Sequence, residues 1–294
     1  MVRRTAAAPA ESERRSTAIA GLVTLVGDSI ALPMRPRRSL RSRKLLLALV
    51  AIGVAVALAI LAGYFFGFRD TAEPASLDEA VGRFRTEQEP GKGSSIPSGV
   101  YVYETRGYEA IDALGGARHR YPLTSTITVT SVDCGTQLRW DVLHGRSTTW
   151  TQCRSARGAL LHSTHERHQW FGRTERTDYE CRNTLALPAD AMPGAAFPVR
   201  CVAGGITERG TGTVVGDESL AVGDMQVPVV HVRIHSTLTG ASRGTARRDF
   251  WVAQDTGLPV RIAMRNDTTS GSLIGDVHYE EDVDLRLTSL EPRR

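Results

Sequence analysis

The pattern of apolar and polar positions divides the chain into segments of different kinds. Residues 45–68, LLLALVAIGVAVALAILAGYFFGF, are 24 positions without a charged or strongly polar side chain. Wound as a helix rising 1.5 Å per residue, such a run spans about 36 Å, enough to cross a hydrocarbon core of roughly 30 Å with some tilt. A core helix of a globular protein would be shorter and would show a polar stripe, so a transmembrane helix is expected over 45–68. Tyr64, Phe65, Phe66 and Phe68 cluster at its far end, where aromatic rings favour the membrane–water interface.

Beyond this run the periodicity becomes helical and then changes to two. Ser76-Leu77-Asp78-Glu79 is a capping box, and Leu77, Val81 and Phe84 recur at helical spacing, which predicts one short amphipathic helix within a stalk over 69–98. Residues 89–98, EPGKGSSIPS, read as a flexible linker by composition. From Gly99 onward apolar and polar residues alternate. Leu138, Trp140 and Val142 face one way while Arg139 and Asp141 face the other; Ile127 and Val129 alternate with Thr126, Thr128 and Thr130. Val230, Val232 and Ile234 alternate with His231, Arg233 and His235, and further runs occupy 101–105, 247–252, 260–264 and 276–287. Turn formers such as Gly216-Asp217, Gly223-Asp224 and Thr256-Gly257 stand between them. Half-polar strands joined by short turns predict a mainly β domain over 99–294, an antiparallel sheet with one buried face, curved or rolled into an open half-barrel. No strand–helix–strand alternation occurs, which excludes a parallel nucleotide-binding sheet.

Charge refines the division. Residues 1–44 carry ten Lys/Arg against three Asp/Glu, a net of +7, and residues 69–294 carry 26 against 29, a net of −3, which together return the overall +4. The basic character therefore belongs to a short tail and not to the main domain, which removes the argument for a nucleic-acid partner. Arg35, Arg37, Arg38, Arg41, Arg43 and Lys44 precede the apolar run, so positive-inside bias places residues 1–44 in the cytoplasm and the 226 residues after the run outside. Ala57-Leu58-Ala59 offers the small-x-small pattern of a cleaved signal peptide, but the apolar run continues nine residues past Ala59 without a polar segment, so an uncleaved signal anchor in the cell membrane is expected.

The four cysteines, Cys134, Cys153, Cys181 and Cys201, all fall in the exported part, as an oxidising compartment requires. Of the three pairings open to them, Cys134–Cys153 and Cys181–Cys201 are favoured, since each pair flanks a segment able to fold back as neighbouring strands. No CxxC is present to suggest zinc.

Other chemistry-bearing strings carry little. Gly27-Asp28-Ser29 with Asp141 and His144 mimics the blocks of a hydrolase family, but the span sets Ser29 and His144 on opposite sides of the membrane, far beyond the ~3 Å that nucleophile and base need. His162, His165 and His168 have no carboxylate or cysteine at ligand spacing and read as solvated histidines. His231 and His235 share a strand face with Arg233, a cation, between them, and that face reads as wet. Glu280, Glu281, Asp282 and Asp284 read as a solvated edge strand. Trp150 and Trp170 are core aromatics with a stacking role as the sharper alternative. No P-loop, GxGxxG, GxSxG nucleophile elbow or HExxH is expected in the exported part.

Residues 223–265 run GDMQVPVVHVRIHST, then GTARRDFWVAQDTGLPVRIAMRN. This stretch resembles the second half of extracytoplasmic lipoprotein-carrier-like domains of the LolA and LppX type, where a strand ending in Trp, a Thr-Gly-Leu-Pro turn and a returning Val-Arg strand recur. Here those are Trp251, Thr256-Gly257-Leu258-Pro259 and Val260-Arg261. The whole chain, with its basic tail, single span and SGVYVYETRG stretch, is similar to single-pass membrane proteins of high-GC actinobacteria, and 34 Arg against 2 Lys fits such a genome. The resemblance covers about 40 of the 226 residues and implies a concave apolar sheet face that holds acyl chains. The chain departs from it in having four cysteines and an N-terminus expected to be neither lipidated nor cleaved.

The expected function is a membrane-anchored extracytoplasmic binding module, with a lipid or lipid-like ligand leading; the alternative is an envelope-interaction domain without a small-molecule site. No enzymatic activity, cofactor, catalytic residue or metal ligand is assigned.

Overall fold

The computed structural model describes residues 40–67, 70, 72–87, 94–272 and 275–294. Most of the basic tail, with Ser29, lies outside the described residues, as does part of the linker. Helix α1, Leu40–Gly67, contains an 18-residue window, Lys44–Leu61, of mean hydropathy 2.7. By length and composition it can cross a membrane.

Helix α2, Leu77–Glu87, starts where the capping box predicts. The Glu79 amide donates to Ser76 Oγ and the Ser76 amide to Glu79 Oε2, both at 3.2 Å, so two orphan donors of the first turn are satisfied reciprocally. Ala80 and Phe84 bury against Val100, and Arg83 Nη2 pairs with Asp141 Oδ2 at 2.8 Å, so the helix is docked on the outer wall of the β domain.

The strands are β1 (Gly99–Ile111), β2 (Ala117–Arg120), β3 (Thr124–Val132), β4 (Gly135–Leu143), β5 (Arg146–Ser155) and β6 (Gly158–Trp170). There follow β7 (Arg173–Pro188), β8 (Ala196–Ala203), β9 (Ile206–Val222), β10 (Met225–Gly240), β11 (Ser242–Ala253), β12 (Pro259–Ser272) and β13 (Gly275–Leu287). From β3 to β13 each strand pairs antiparallel with the next, as alternation and short turns predict. The curved sheet or half-barrel expected from the sequence is nevertheless incorrect: the sheet closes into a 12-stranded antiparallel barrel. Closure is made by β1, which pairs with β13 through nine residue pairs, from Tyr103↔Leu287 to Ile111↔Tyr279. On its other edge β1 takes β3 over residues 99–104 and the short β2 over 108–111. Closing the ring hides the two edges that an open sheet would expose to mispairing. Gly107 lies on the closing seam at φ +144°, and a Cβ there would meet Asp282 O at 2.1 Å, so only glycine fits.

β13 is accordingly no edge strand, which corrects the reading of the acidic run. Glu280, Asp282 and Asp284 face outward onto Tyr108, Arg265 and Arg261, while Glu281 points into the barrel and is fully buried.

One seam is thin. β7 and β8 share only Glu180↔Val202 and Cys181↔Cys201. Below that point Asn183 turns to φ +52° and Thr184 Oγ1 stands in for the ladder, accepting from the Arg200 amide at 3.0 Å and donating to Arg200 O at 3.1 Å. The disulfides are Cys134–Cys153 and Cys181–Cys201, the favoured pairing. The first ties the β3–β4 turn to β5, and the second crosses the thin seam.

Candidate functional site

The barrel interior is divided between an apolar cavity and a charged cluster. The cavity has a volume of about 380 Å³. Its walls come from alternate residues of facing strands: Leu138 of β4, Trp150 of β5, Leu161 of β6, Leu185 and Leu187 of β7, Val199 of β8, Ile234 of β10, and Phe250 and Val252 of β11. Trp150 and Phe250 meet edge to face at 6.5 Å between centroids. Hairpin residues Ser155, Asp255 and Thr256 bound the cavity at one end, together with Ile96. Ser95 Oγ donates to Thr256 O at 2.9 Å, and Thr136 Oγ1 to Ser94 Oγ at 2.9 Å, so residues 94–96 of the expected flexible linker are tied down across this end.

Thr164, Glu166, Tyr179, Glu208 and Arg248 line the cavity where it meets the charged cluster. Arg248 Nη1 pairs with Glu208 Oε1, which also accepts from Ser236 Oγ. Glu166 is different. Among the described residues it has one ion-pair partner, His168 Nε2 at 3.9 Å, beyond hydrogen-bond length.

Deeper in, Arg146 and Glu281 form the centre of the cluster, both essentially inaccessible. Arg146 donates to Glu281 Oε1 through Nη2 at 2.9 Å and Nε at 3.1 Å, and Tyr121 Oη and Asn266 Nδ2 add donors to Glu281 at 2.6 and 2.7 Å. Glu109 accepts from two histidines: His119 Nδ1 lies 3.0 Å from Oε1 and His168 Nδ1 3.1 Å from Oε2. His119 Nε2 in turn meets Asp70 Oδ2 at 2.7 Å, and its ring stacks on Trp170 at 4.2 Å. These contacts decide the protonation states. Burial pushes the Glu109 carboxyl up, but hydrogen bonds from His119 and His168 outweigh it and hold the group at about 2. Glu166 is likewise raised by burial and brought down to about 2 by His168 and the Arg146 and Arg248 charges. Burial lowers both histidines and Arg146 lowers His168 further, yet their carboxylate partners win and both are raised above the usual histidine value.

Of the residues weighed from the sequence, His168 and Trp150 enter this interior; His162 and His165 remain outside, His165 on Asp178 at 2.8 Å. The reading of all three histidines as solvated fails for His168. It fails also for His231, which is buried between Glu218 and Asp249 and stacked on Trp251 at 4.2 Å; Arg233 joins the same Asp249, while His235 is exposed. Trp170 caps His119 and does not line the cavity. Asp141 is taken by Arg83 and Arg139, and His144 by Glu79 at 3.0 Å. The string Gly240-Ala241-Ser242-Arg243-Gly244 has the Gly-x-Ser-x-Gly form of a nucleophile elbow, but it is the β10–β11 hairpin, not a strand-to-helix turn. Among the described residues no group of three or more His, Cys, Asp and Glu side chains is arranged to hold a metal ion.

Sequence reasoning missed Glu109, Arg146, Glu166, Glu208 and Arg248 altogether. A signal existed: in Thr164–His168 and Arg248–Val252 a charge occupies the parity that elsewhere on the strand is apolar.

No protein-family model and no curated protein matches the chain. Among solved structures it is similar to the hypothetical lipoprotein YmcC from Escherichia coli (K12), with 14% identity, covering 71% of this chain and 98% of that one at a TM-score of 0.29. That neighbour is a hypothetical lipoprotein, and a likeness of this level carries no argument about what the barrel binds.

Proposed function

We propose that this protein is a binding module whose barrel holds a lipid-like amphiphile, carried at the outer face of a membrane by α1. The observation that supports the reading is the cavity itself: about 380 Å³ of mainly apolar space inside a closed barrel, within the size range of ligand sites and with polar groups converging at its inner end. A barrel of this strand number leaves more interior than side chains fill, as ligand-holding barrels do. Binding, not catalysis, is the role the site supports, because the carboxylates that are deepest are already engaged by arginine and histidine.

The test is photo-crosslinking of the full chain in phosphatidylcholine nanodiscs with a diazirine-bearing long-chain alcohol. Labelled peptides from β4, β6 and β11, suppressed by the space-filling substitution Leu161→Trp, are the expected result. Labelling confined to α1 would overturn the reading and favour an interaction domain without a small-molecule site.

A further inference from the structure

We propose that the ligand is an amphiphile with an ammonium end, its alkyl part along the apolar walls and its cation against Glu166. This rests on the binding reading above and deepens it. The apolar walls of the 380 Å³ cavity suit an alkyl chain.

The sign of the polar end follows from the charges around the inner end of the cavity. Four glutamates, Glu109, Glu166, Glu208 and Glu281, share two arginines, Arg146 and Arg248. His168 supplies a third positive charge, and the charge of His119 is matched by Asp70. One negative charge is left over, in a setting where water screens little. Its place is Glu166. Arg146 is committed to Glu281 and Arg248 to Glu208, and His168 gives its Nδ1 to Glu109 while Nε2 stands 3.9 Å from Glu166. Glu166 stays ionised in the field of Arg146, Arg248 and His168 yet has no hydrogen bond of normal length, so its oxygens call for donors. An ammonium brings three donors and the missing charge together; a hydroxyl brings one donor and no charge. At the inner end a carboxylate or phosphate would find Arg146 and Arg248 already paired and two carboxylates, Glu166 and Glu208, facing it, while Arg154 lines the cavity beside Ser155 at the other end.

The test is competition against the photoprobe on the full chain in neutral phosphatidylcholine nanodiscs, with dodecylamine, dodecanol and dodecanoate as unlabelled competitors. Dodecylamine is expected to protect the cavity peptides at about tenfold lower concentration than dodecanol, a difference of one decade in affinity, with dodecanoate weakest. Glu166→Gln is expected to bring amine and alcohol level while cavity labelling persists. If dodecanol matches dodecylamine, or dodecanoate leads, in the wild-type chain, the ammonium assignment is wrong while the binding reading stands. If cavity peptides are never labelled, the binding reading itself falls. The wild-type ranking decides the matter even where the Glu166 variant does not fold.

Discussion

At the scale of single residues, the most informative feature is that the barrel buries ions it could have done without. Arg146 beside Glu281, and Glu109 between two histidines, occupy positions that an apolar residue would fill at lower desolvation cost. The arrangement makes stability depend on pH in a direction that can be worked out. His119 and His168 have folded-state values raised above 6.5, so their contribution is complete below pH 6.5 and is lost as pH climbs through the raised values. Glu109 and Glu166 are held at about 2 against an ordinary 4.5, so theirs is complete above pH 4.5 and is lost as pH falls toward 2. Thermal stability should therefore peak between about pH 4.5 and 6.5. The groups facing His168 are Glu109 from β1, Arg146 from β5, Glu166 from its own strand and the Tyr279 ring from β13. Replacing it by Gln should lower stability by about 1.5–3 kcal/mol near pH 6, the usual worth of hydrogen bonds to charged groups, and flatten the alkaline side of the profile. A melting temperature that rises steadily through pH 8 in the unsubstituted protein would contradict this.

At the scale of elements, the barrel is uneven around its circumference. β9 and β10 pair over their whole length, whereas β7 and β8 share two residue pairs, one of them the Cys181–Cys201 crosslink. Each disulfide closes a loop of about 20 residues, so chain entropy alone assigns both about 3 kcal/mol. Their local effects should differ. Cys134→Ala with Cys153→Ala leaves β4–β5 pairing intact from Thr136 to Asp141, whereas Cys181→Ala with Cys201→Ala removes a principal tie across the β7–β8 seam. Hydrogen exchange should show protection lost in β7 and β8 for the second pair and spread evenly for the first; equal local losses would mean the seam is held by something other than the crosslink. This unevenness also separates what was legible in the sequence from what was not. Alternation located β4, β10 and β11, the Ser76–Glu79 box located α2, and cysteine spacing pointed to the bonded pairs, because each is a local pattern with a local cause. Closure was not legible, because nothing in the alternation of β1 states that its second edge meets β13, about 170–180 residues away. The charged interior was not legible for a related reason. Glu281 sits among Glu280, Asp282 and Asp284, and only its register opposite Glu109 and within reach of Arg146 separates an inward carboxylate from three outward ones.

At the scale of the whole molecule, the apolar helix and the crosslinked barrel impose compatible demands. A helix with a window of mean hydropathy 2.7 can cross a bilayer by length and composition, and disulfides persist where thiols are not kept reduced. Both are met if the chain crosses a membrane once, with the basic tail on the reducing side and the barrel on the oxidising side, the orientation that the ten basic residues of positions 1–44 favour. Three measurements on cells making the full chain, tagged at each end, examine this together. The protein should remain with membranes through an alkaline carbonate wash. Alkylation of the denatured but unreduced chain should find no thiol, and added protease should reach the C-terminal tag in intact spheroplasts while the N-terminal tag survives. Release by carbonate would mean that α1 is removed or does not span. Four alkylated cysteines with a protected C-terminal tag would place the barrel inside, and the disulfides, the orientation and an amphiphile-binding role at the outer face would have to be abandoned together.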